Sequence, residues 1–322
     1  MKNKIRQLTN MFFDDLPYSA EAVKAKSKVE NALAGYTRED AEKLMSVMTR
    51  AFYRAGAHIM KIYREDFTVK YKEDASPVTE ADEGANKIIL DILHEAYPSY
   101  ATLAEESYKD DRTNRQRLEN PWCFIVDPLD GTKEFVAHVD QFSICIALSH
   151  LGKIEAGAVY APTCDLMYYA ARGLGSYKVQ TDGHTEPAFF NPKDRIHVSD
   201  RTENLVAMVS RSHIDEPTAA LLKRGQEEGR IAKVISAGSA LKGCAIAAGE
   251  ADIYYRMGET MEWDTAANQV IIEEAGGIMR QLDKARSEFV YNREDSLNAN
   301  GFYILNKAEN DLADADFVIS VR

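Results

Sequence analysis

Ile125-Val126-Asp127-Pro128-Leu129-Asp130-Gly131-Thr132-Lys133-Glu134 is the stretch on which the reading of this chain turns. Two apolar residues bring a strand to its end, and two acids three residues apart follow across a proline turn. A glycine and a hydroxyl come next, where a helix can start. Carboxylates crowded that closely repel one another, and hard cations with oxygen ligands relieve the repulsion. A helix start also offers free N–H groups to an anion. The segment therefore looks built to hold Mg²⁺ against a phosphate. Asp-Pro and Asp-Gly are equally ordinary turn formers, so the case needs support from the rest of the chain.

Composition narrows the field. The chain has 322 residues, enough for one large domain or two ordinary ones with a sizeable core. Its formal charge of −12 argues against non-specific nucleic-acid binding, which needs basic patches. An anionic small-molecule substrate stays allowed, because bound divalent ions can invert the local field. Cys123, Cys145, Cys164 and Cys244 show no metal-ligand spacing, and three of them sit in apolar or strand-like runs that suit reduced core packing. The apolar cluster Met11-Phe12-Phe13 runs straight into Asp14-Asp15 and is far too short for a signal segment or a membrane span. A cytoplasmic protein is expected. Residues 1–35 also offer a surface for peripheral membrane attachment, which Asp14-Asp15 disfavours at an anionic surface. Monomer and homodimer both stay open.

Residues 1–35 are polar and helix-prone and are expected to form a helical extension. Thr37 with Asp40 resembles a capping box, and Ala41, Leu44, Met45, Met48, Phe52 and Ile59 then fall at helical spacing, through to Tyr63. Thr79 can cap a second helix bearing Ala85, Ile88, Ile89, Ile92 and Leu93. From Trp122 the pattern changes to short β-like runs, 122–126, 142–148, 156–160, 166–170 and 176–179, whose short connections favour an antiparallel meander. The polar stretch 180–194 is the best domain boundary, giving an α+β metal-binding domain over 36–185 and an α/β nucleotide-binding domain over 186–322. The second half alternates strands at 205–209, 231–236 and 251–256 with helices at 217–228, 240–248 and 265–275, as in an α/β unit with a parallel or mixed sheet.

Four segments supply chemistry, each where a regular element meets a turn. Besides Asp127 and Asp130 they are Glu105-Glu106-Ser107, Asp264 within Glu262-Trp263-Asp264-Thr265-Ala266-Ala267, and Asp82 after Ser76-Pro77-Val78-Thr79. Each has a plainer explanation: Asp264 as an N-cap, Asp82 as a first-turn acid favoured by the helix dipole, Glu105-Glu106 as a solvated pair. Accepting all the plainer explanations at once requires coincidence at four places.

Taken together, residues 40 to 308 resemble the inositol monophosphatase superfamily of Mg²⁺-dependent, lithium-sensitive phosphatases. Asp127-Pro128-Leu129-Asp130-Gly131-Thr132 matches its first signature, and Trp263-Asp264-Thr265-Ala266-Ala267 with Glu274-Ala275-Gly276-Gly277 its second. The resemblance implies a layered αβαβα sandwich of the inositol monophosphatase and fructose-1,6-bisphosphatase type, with two sheets and helices between and outside them. Within the superfamily, Ser210-Arg211-Ser212-His213, Gly238-Ser239 with Lys242, Arg256 and Asn292-Arg293-Glu294-Asp295 point to the 3'(2'),5'-bisphosphate nucleotidase branch. Ala240 stands where that branch often carries a second serine, which puts one secondary polar contact in doubt.

The resemblance also assigns roles. Glu105, Asp127 and the Leu129 carbonyl would bind one Mg²⁺, and Asp127, Asp130 and Asp264 a second, with two or three ions per site. Thr132, hydrogen-bonded to Asp82, would orient a metal-activated water and take its proton, assisted by Glu105. Gly131 and Thr132 would hold the phosphate through their N–H groups. Asp264, Ser239, Lys242, Arg256 and His213 would contact the substrate, with Lys242 and Arg256 neutralising a second phosphate and His213 meeting the nucleoside. Adenosine 3',5'-bisphosphate, hydrolysed to AMP and phosphate in sulfur metabolism, is then the leading substrate. Inositol monophosphate and other small sugar phosphates are the nearest alternatives, and a non-catalytic nucleotide sensor a more distant one.

Overall fold

A computed structural model describes residues 37–72, 77–108, 116–212 and 214–313, so the expected helical extension over 1–35 and His213 both lie outside the described residues. The chain divides into two compact units, Met1–Leu44 and Met45–Arg322. At the start of α1 (Arg38–Tyr63), Thr37 and Asp40 exchange the two hydrogen bonds of a capping box, Thr37 N to Asp40 Oδ2 at 2.9 Å and Asp40 N to Thr37 Oγ1 at 3.2 Å. A short hairpin, β1 (Val69–Tyr71) and β2 (Pro77–Thr79), delivers Thr79 as the N-cap of α2 (Glu80–Ala96).

The first large sheet follows chain order: β3 (Ala101–Ala104), β4 (Trp122–Asp130), β5 (Ser143–His150), β6 (Lys153–Ala161), β7 (Leu166–Ala171), β8 (Gly175–Gln180) and β9 (Arg195–Ile196). Two short helices interrupt it, α3 (Gln116–Glu119) and α4 (Thr132–Val136). From β4 to β9 every pairing is antiparallel, as the short turns require; β3 alone is parallel to its neighbour. Every residue of β5 is buried, since helices cover both faces of the sheet. That is why Ile144–Leu148 reads as a near-continuous apolar run instead of alternating.

The second half supplies β10 (Leu205–Ser210), α5 (Glu216–Glu227), β11 (Ile231–Ala237), α6 (Leu241–Ala247), β12 (Ile253–Arg256), β13 (Thr260–Met261), α7 (Glu262–Glu274), β14 (Ile278–Gln281), β15 (Leu297–Asn298) and β16 (Phe302–Leu305). Five of these strands form a mixed sheet in the order β11-β10-β12-β16-β14, and β13 pairs with β15 alone. Between the two large sheets lie α6 and α7. Their Cys244, Ala247, Ala267, Val270 and Ile271 share one core with Ile125 and Val159 on one side and Ile304 on the other. The alternate residues of the first sheet face outward, where Tyr160 stacks on Phe52 of α1 with centroids 5.7 Å apart. Leu221 and Leu222 of α5 close the far side of the second sheet over Ala207, Val209 and Tyr255. Within Met45–Arg322 the result is the expected five-layer αβαβα sandwich. Gly157 lets α7 lie close to β6: a Cβ there would stand 2.9 Å from Val270 Cγ1 and 3.0 Å from Ala267 Cα.

Two of the boundaries that differ from the sequence reading bear on the site. β4 does not end at Val126 but resumes at Asp130, paired with Ser143, after a register break across Asp127–Asp130. Pro128 has no N–H to give the ladder, so the strand bulges there and continues. α7 begins at Glu262 and not at Thr265, so Asp264 is inside the first turn and not ahead of it. Cys123, Cys145 and Cys244 are buried as expected. Among the described residues no helix is long and apolar enough to cross a membrane.

Candidate active site

The bulge in β4 builds the centre of the site. It turns the Asp127 carboxylate inward, where Leu129 N donates to its Oδ1 at 3.1 Å. Gly131, at φ +94°, makes the turn from β4 into α4 in a conformation that side-chain-bearing residues rarely adopt. Asp130 Oδ2 accepts from the Ala240 N–H at the start of α6 and from Ser143 Oγ at 3.3 Å. Asp264 Oδ2 accepts from Met261 N at 2.5 Å, so it caps its own helix as well as facing the site. Each of the three aspartates is thus oriented by a main-chain N–H. Their oxygens converge: one carboxylate oxygen from each of Asp127, Asp130 and Asp264 lies within 4.8 Å of the others.

That proximity has an electrostatic cost. Burial, then repulsion from Glu105, Asp130 and Asp264, holds the Asp127 carboxyl well above the usual carboxylate range. Burial and the neighbouring Asp130 push Asp264 up to about 7. Burial also raises Asp130, against the opposing pull of Lys242 and the Ala240 N–H. Three hard oxygen donors that resist ionising together are a fitting cage for a divalent cation.

Glu105 lines the same cavity and is the leading charge repelling Asp127, while its Oε1 lies 2.7 Å from Lys72 Nζ. Lys72 bonds Glu106 as well, also at 2.7 Å. The plainer alternative, that Glu105 and Glu106 are a solvated pair, does not hold, because one ammonium holds both carboxylates. Thr132 Oγ1 lies 3.1 Å from Asp82 Oδ1 and 3.1 Å from the Leu129 carbonyl, donating its single proton between them. Asp82 is buried behind Thr132, with its Oδ2 taken up by Thr79 N at 2.8 Å and Thr79 Oγ1 at 2.7 Å. Burial pushes it up to about 6, against those hydrogen bonds.

Gly131, Ser239, Lys242 and Arg256 line the same cavity. Lys242 is buried, not a solvated helix residue. Its Nζ donates to the Ser239 carbonyl at 2.5 Å and lies 5.3 Å from the Tyr254 ring centre. Burial lowers its pKa while Asp130 and Glu134 oppose that shift. The structure therefore brings ten of the expected residues, Glu105, Asp127, Leu129, Asp130, Gly131, Thr132, Ser239, Lys242, Arg256 and Asp264, around one cavity. Asp82 reaches it only through Thr132. Sequence reading missed Glu134, which lines the cavity and accepts from Ser212 Oγ at 2.5 Å, although it ends the stretch quoted first. It also missed Tyr254 and Asn268, which an apolar strand and a helix run conceal.

Over residues 40–319 the sequence matches the model of the inositol monophosphatase family. The chain belongs to that family. It is 32% identical over 76% of its length to the 3'(2'),5'-bisphosphate nucleotidase CysQ of Aggregatibacter actinomycetemcomitans, covering 85% of that protein. Identity to the Salmonella typhimurium CysQ is 38% over 69% of the chain and 84% of the relative. The crystal structure of CysQ from Bacteroides thetaiotaomicron superposes with a TM-score of 0.70 at 31% identity, over 83% of this chain and 98% of that one. Membership in the family and this likeness make the protein a CysQ-like phosphatase of the superfamily.

Proposed function

We propose that this protein is a Mg²⁺-dependent 3'(2'),5'-bisphosphate nucleotidase that hydrolyses adenosine 3',5'-bisphosphate to AMP and phosphate. One observation carries the reading: three converging carboxylates share a cavity with Thr132, which is bonded to Asp82, and with Lys242 and Arg256. Glu105, Asp127 and the Leu129 carbonyl would hold one ion, and Asp127, Asp130 and Asp264 a second. Bound Mg²⁺ would supply positive charge to the phosphoryl oxygens and lower the pKa of water.

The remaining work falls to the chain. Thr132 Oγ1 gives its proton toward Asp82 or Leu129, which leaves its lone pairs turned to accept from a water. Asp82, at about 6, is poised to receive that proton through Thr132 near neutral pH. The N–H groups of Gly131 and Thr132 would hold the transferred phosphate. Lys242 and Arg256, from the half read as nucleotide-binding, would neutralise the second one, with Arg256 offering a planar fork. The division of labour between residues 36–185 and 186–322 follows: metal and water on one side, nucleotide on the other, with Asp264 crossing between them.

Phosphate release should be compared for adenosine 3',5'-bisphosphate, inositol 1-phosphate and fructose 1,6-bisphosphate, with Mg²⁺ and with lithium added or withheld. The nucleotide should be hydrolysed fastest, and lithium should inhibit. Preference for inositol 1-phosphate overturns the substrate assignment. Nucleotide binding without turnover of any of the three would make the protein a sensor instead.

A further inference from the structure

Asp264 is held in place by groups outside the cavity. Glu262, two residues before it, is fully buried, and its carboxylate accepts from Asn292 N at 2.6 Å, Arg293 N at 3.0 Å and Arg293 Nε at 3.1 Å. A buried carboxylate survives only when its oxygens are paired, and here two of the donors are main-chain N–H groups of fixed direction. Arg293 then reaches on, its Nη2 donating to Asn298 Oδ1 at 2.7 Å. Asn298 Nδ2 in turn donates to the Met261 carbonyl at 2.8 Å and to Thr265 Oγ1 at 3.2 Å, one residue on either side of the Glu262–Asp264 turn. From behind, Arg117 donates to Asn292 Oδ1 at 2.6 Å and to the Arg293 carbonyl at 2.7 Å.

The chain Glu262–Arg293–Asn298 therefore closes on both ends of the first turn of α7 and brackets Asp264. Neither Glu262 nor Arg293 lines the cavity. Asn292-Arg293, one of the features that set this sequence among the bisphosphate nucleotidases, is thereby given a task away from the substrate.

We propose that Glu262 and Arg293 act as a pair of positioning residues for the metal site, fixing the first turn of α7 so that Asp264 stays within reach of Asp127 and Asp130. The inference rests on reading those three aspartates as a Mg²⁺ site. Outer residues that orient metal ligands typically change affinity by roughly 10- to 100-fold when removed. Arg293 is partly exposed, so Arg293→Met is the variant that should fold, and Glu262→Gln is its buried counterpart, with an amide NH₂ set against main-chain donors.

The experiment is calorimetric titration of Mg²⁺ into purified wild type, Arg293→Met, Glu262→Gln and the double variant, with thermal melts in parallel and kinetics on the nucleotide. Both single variants should bind Mg²⁺ about tenfold more weakly or worse. The double variant should be little worse than either single, because the two residues act as one unit. Raising Mg²⁺ should bring kcat back to within about twofold of wild type with KM for nucleotide unchanged. Arg293→Lys should recover part of the affinity. Unchanged Mg²⁺ isotherms with only a lower melting temperature overturn the proposal and leave the metal site standing. A wild type that binds no Mg²⁺ overturns both.

Discussion

The two walls of the cavity are built by different means. On the acidic wall each of Asp127, Asp130 and Asp264 is aimed by a main-chain N–H, from Leu129, Ala240 and Met261. On the basic wall Lys242 is held by the Ser239 carbonyl and the face of Tyr254, and it sits buried in α6. The acids are crowded against their own repulsion, while the lysine is penalised by desolvation that Asp130, Glu134 and Asp264 only partly offset. Under the proposed function, a bound cation would relieve the crowding of the acidic wall. The basic wall is already partly neutralised by its neighbour and has weaker claims on a ligand.

Breaking the acidic wall should have the largest effect. Asp130→Asn keeps an acceptor for the Ala240 N–H, so the fold should survive, but it removes one charge from the cage. Turnover should fall on the order of a thousandfold, as when a main electrostatic element of a site is lost. Near-wild-type rates with normal Mg²⁺ dependence would remove Asp130 from the ligand set. Thr132→Ala comes next. It should lower kcat about a hundredfold, the scale of a positioned proton acceptor, with Mg²⁺ affinity almost unchanged. Weakened metal binding with intact kcat would show that Thr132 serves the Leu129 carbonyl and not the water.

How much of this was legible in sequence follows the same division. Asp127, Asp130 and Asp264 could be found because the groups that aim two of them are local: Leu129 N is two residues from Asp127, and Met261 N three from Asp264. Turn and cap chemistry leaves such marks in the letters. Asp264 was nonetheless placed one element too early, since a first-turn acid bonding back to its own helix start looks like an N-cap. The main helices, the meander and the α/β half were legible from periodicity, and their layering only through the family resemblance; β3 and the late strands β14 and β16 were not legible, because short edge and antiparallel strands carry too few residues to show a period. Lys72 left no signal at all: its bonds to Glu105 and Glu106 span more than 30 residues and depend on the fold alone. Glu262 stood beside Asp264 in full view, yet only the 292–298 segment folded against it reveals its purpose.

The basic wall can be sharpened by Lys242→Met, which keeps bulk over Tyr254 and removes the charge. KM for adenosine 3',5'-bisphosphate should rise roughly tenfold, in keeping with loss of one partly neutralised charge contact, while KM for a nucleoside 3'-monophosphate should barely move. Equal losses on both would mean that Lys242 supports Asp130 and not the second phosphate. Either result separates the walls, because Asp130→Asn should impair both substrates alike.

The smallest effect is the pH dependence of stability without metal. Asp264 has its folded-state pKa raised from 3.8 to about 7, and Asp127 and Asp130 are raised in the same direction. Between those pH values the unfolded chain has already lost these protons and the folded chain still holds them. The folded state then binds more protons than the unfolded one, so stability falls as pH rises. Metal-free protein should therefore lose melting temperature from about pH 4 to about pH 7 through this cluster, opposing the usual gain of carboxylates that are paired in the fold. Saturating Mg²⁺ should cancel the loss, most strongly at the high end where the carboxylates are free to bind it. Replacing Asp264 with asparagine should flatten the metal-free curve, whereas neutralising Lys242 should leave the cluster repelled and steepen it. A metal-free curve that rises over this window in wild type and keeps its slope in Asp264→Asn would mean that the acids are not crowded as the geometry requires, and the contrast between the two walls would disappear.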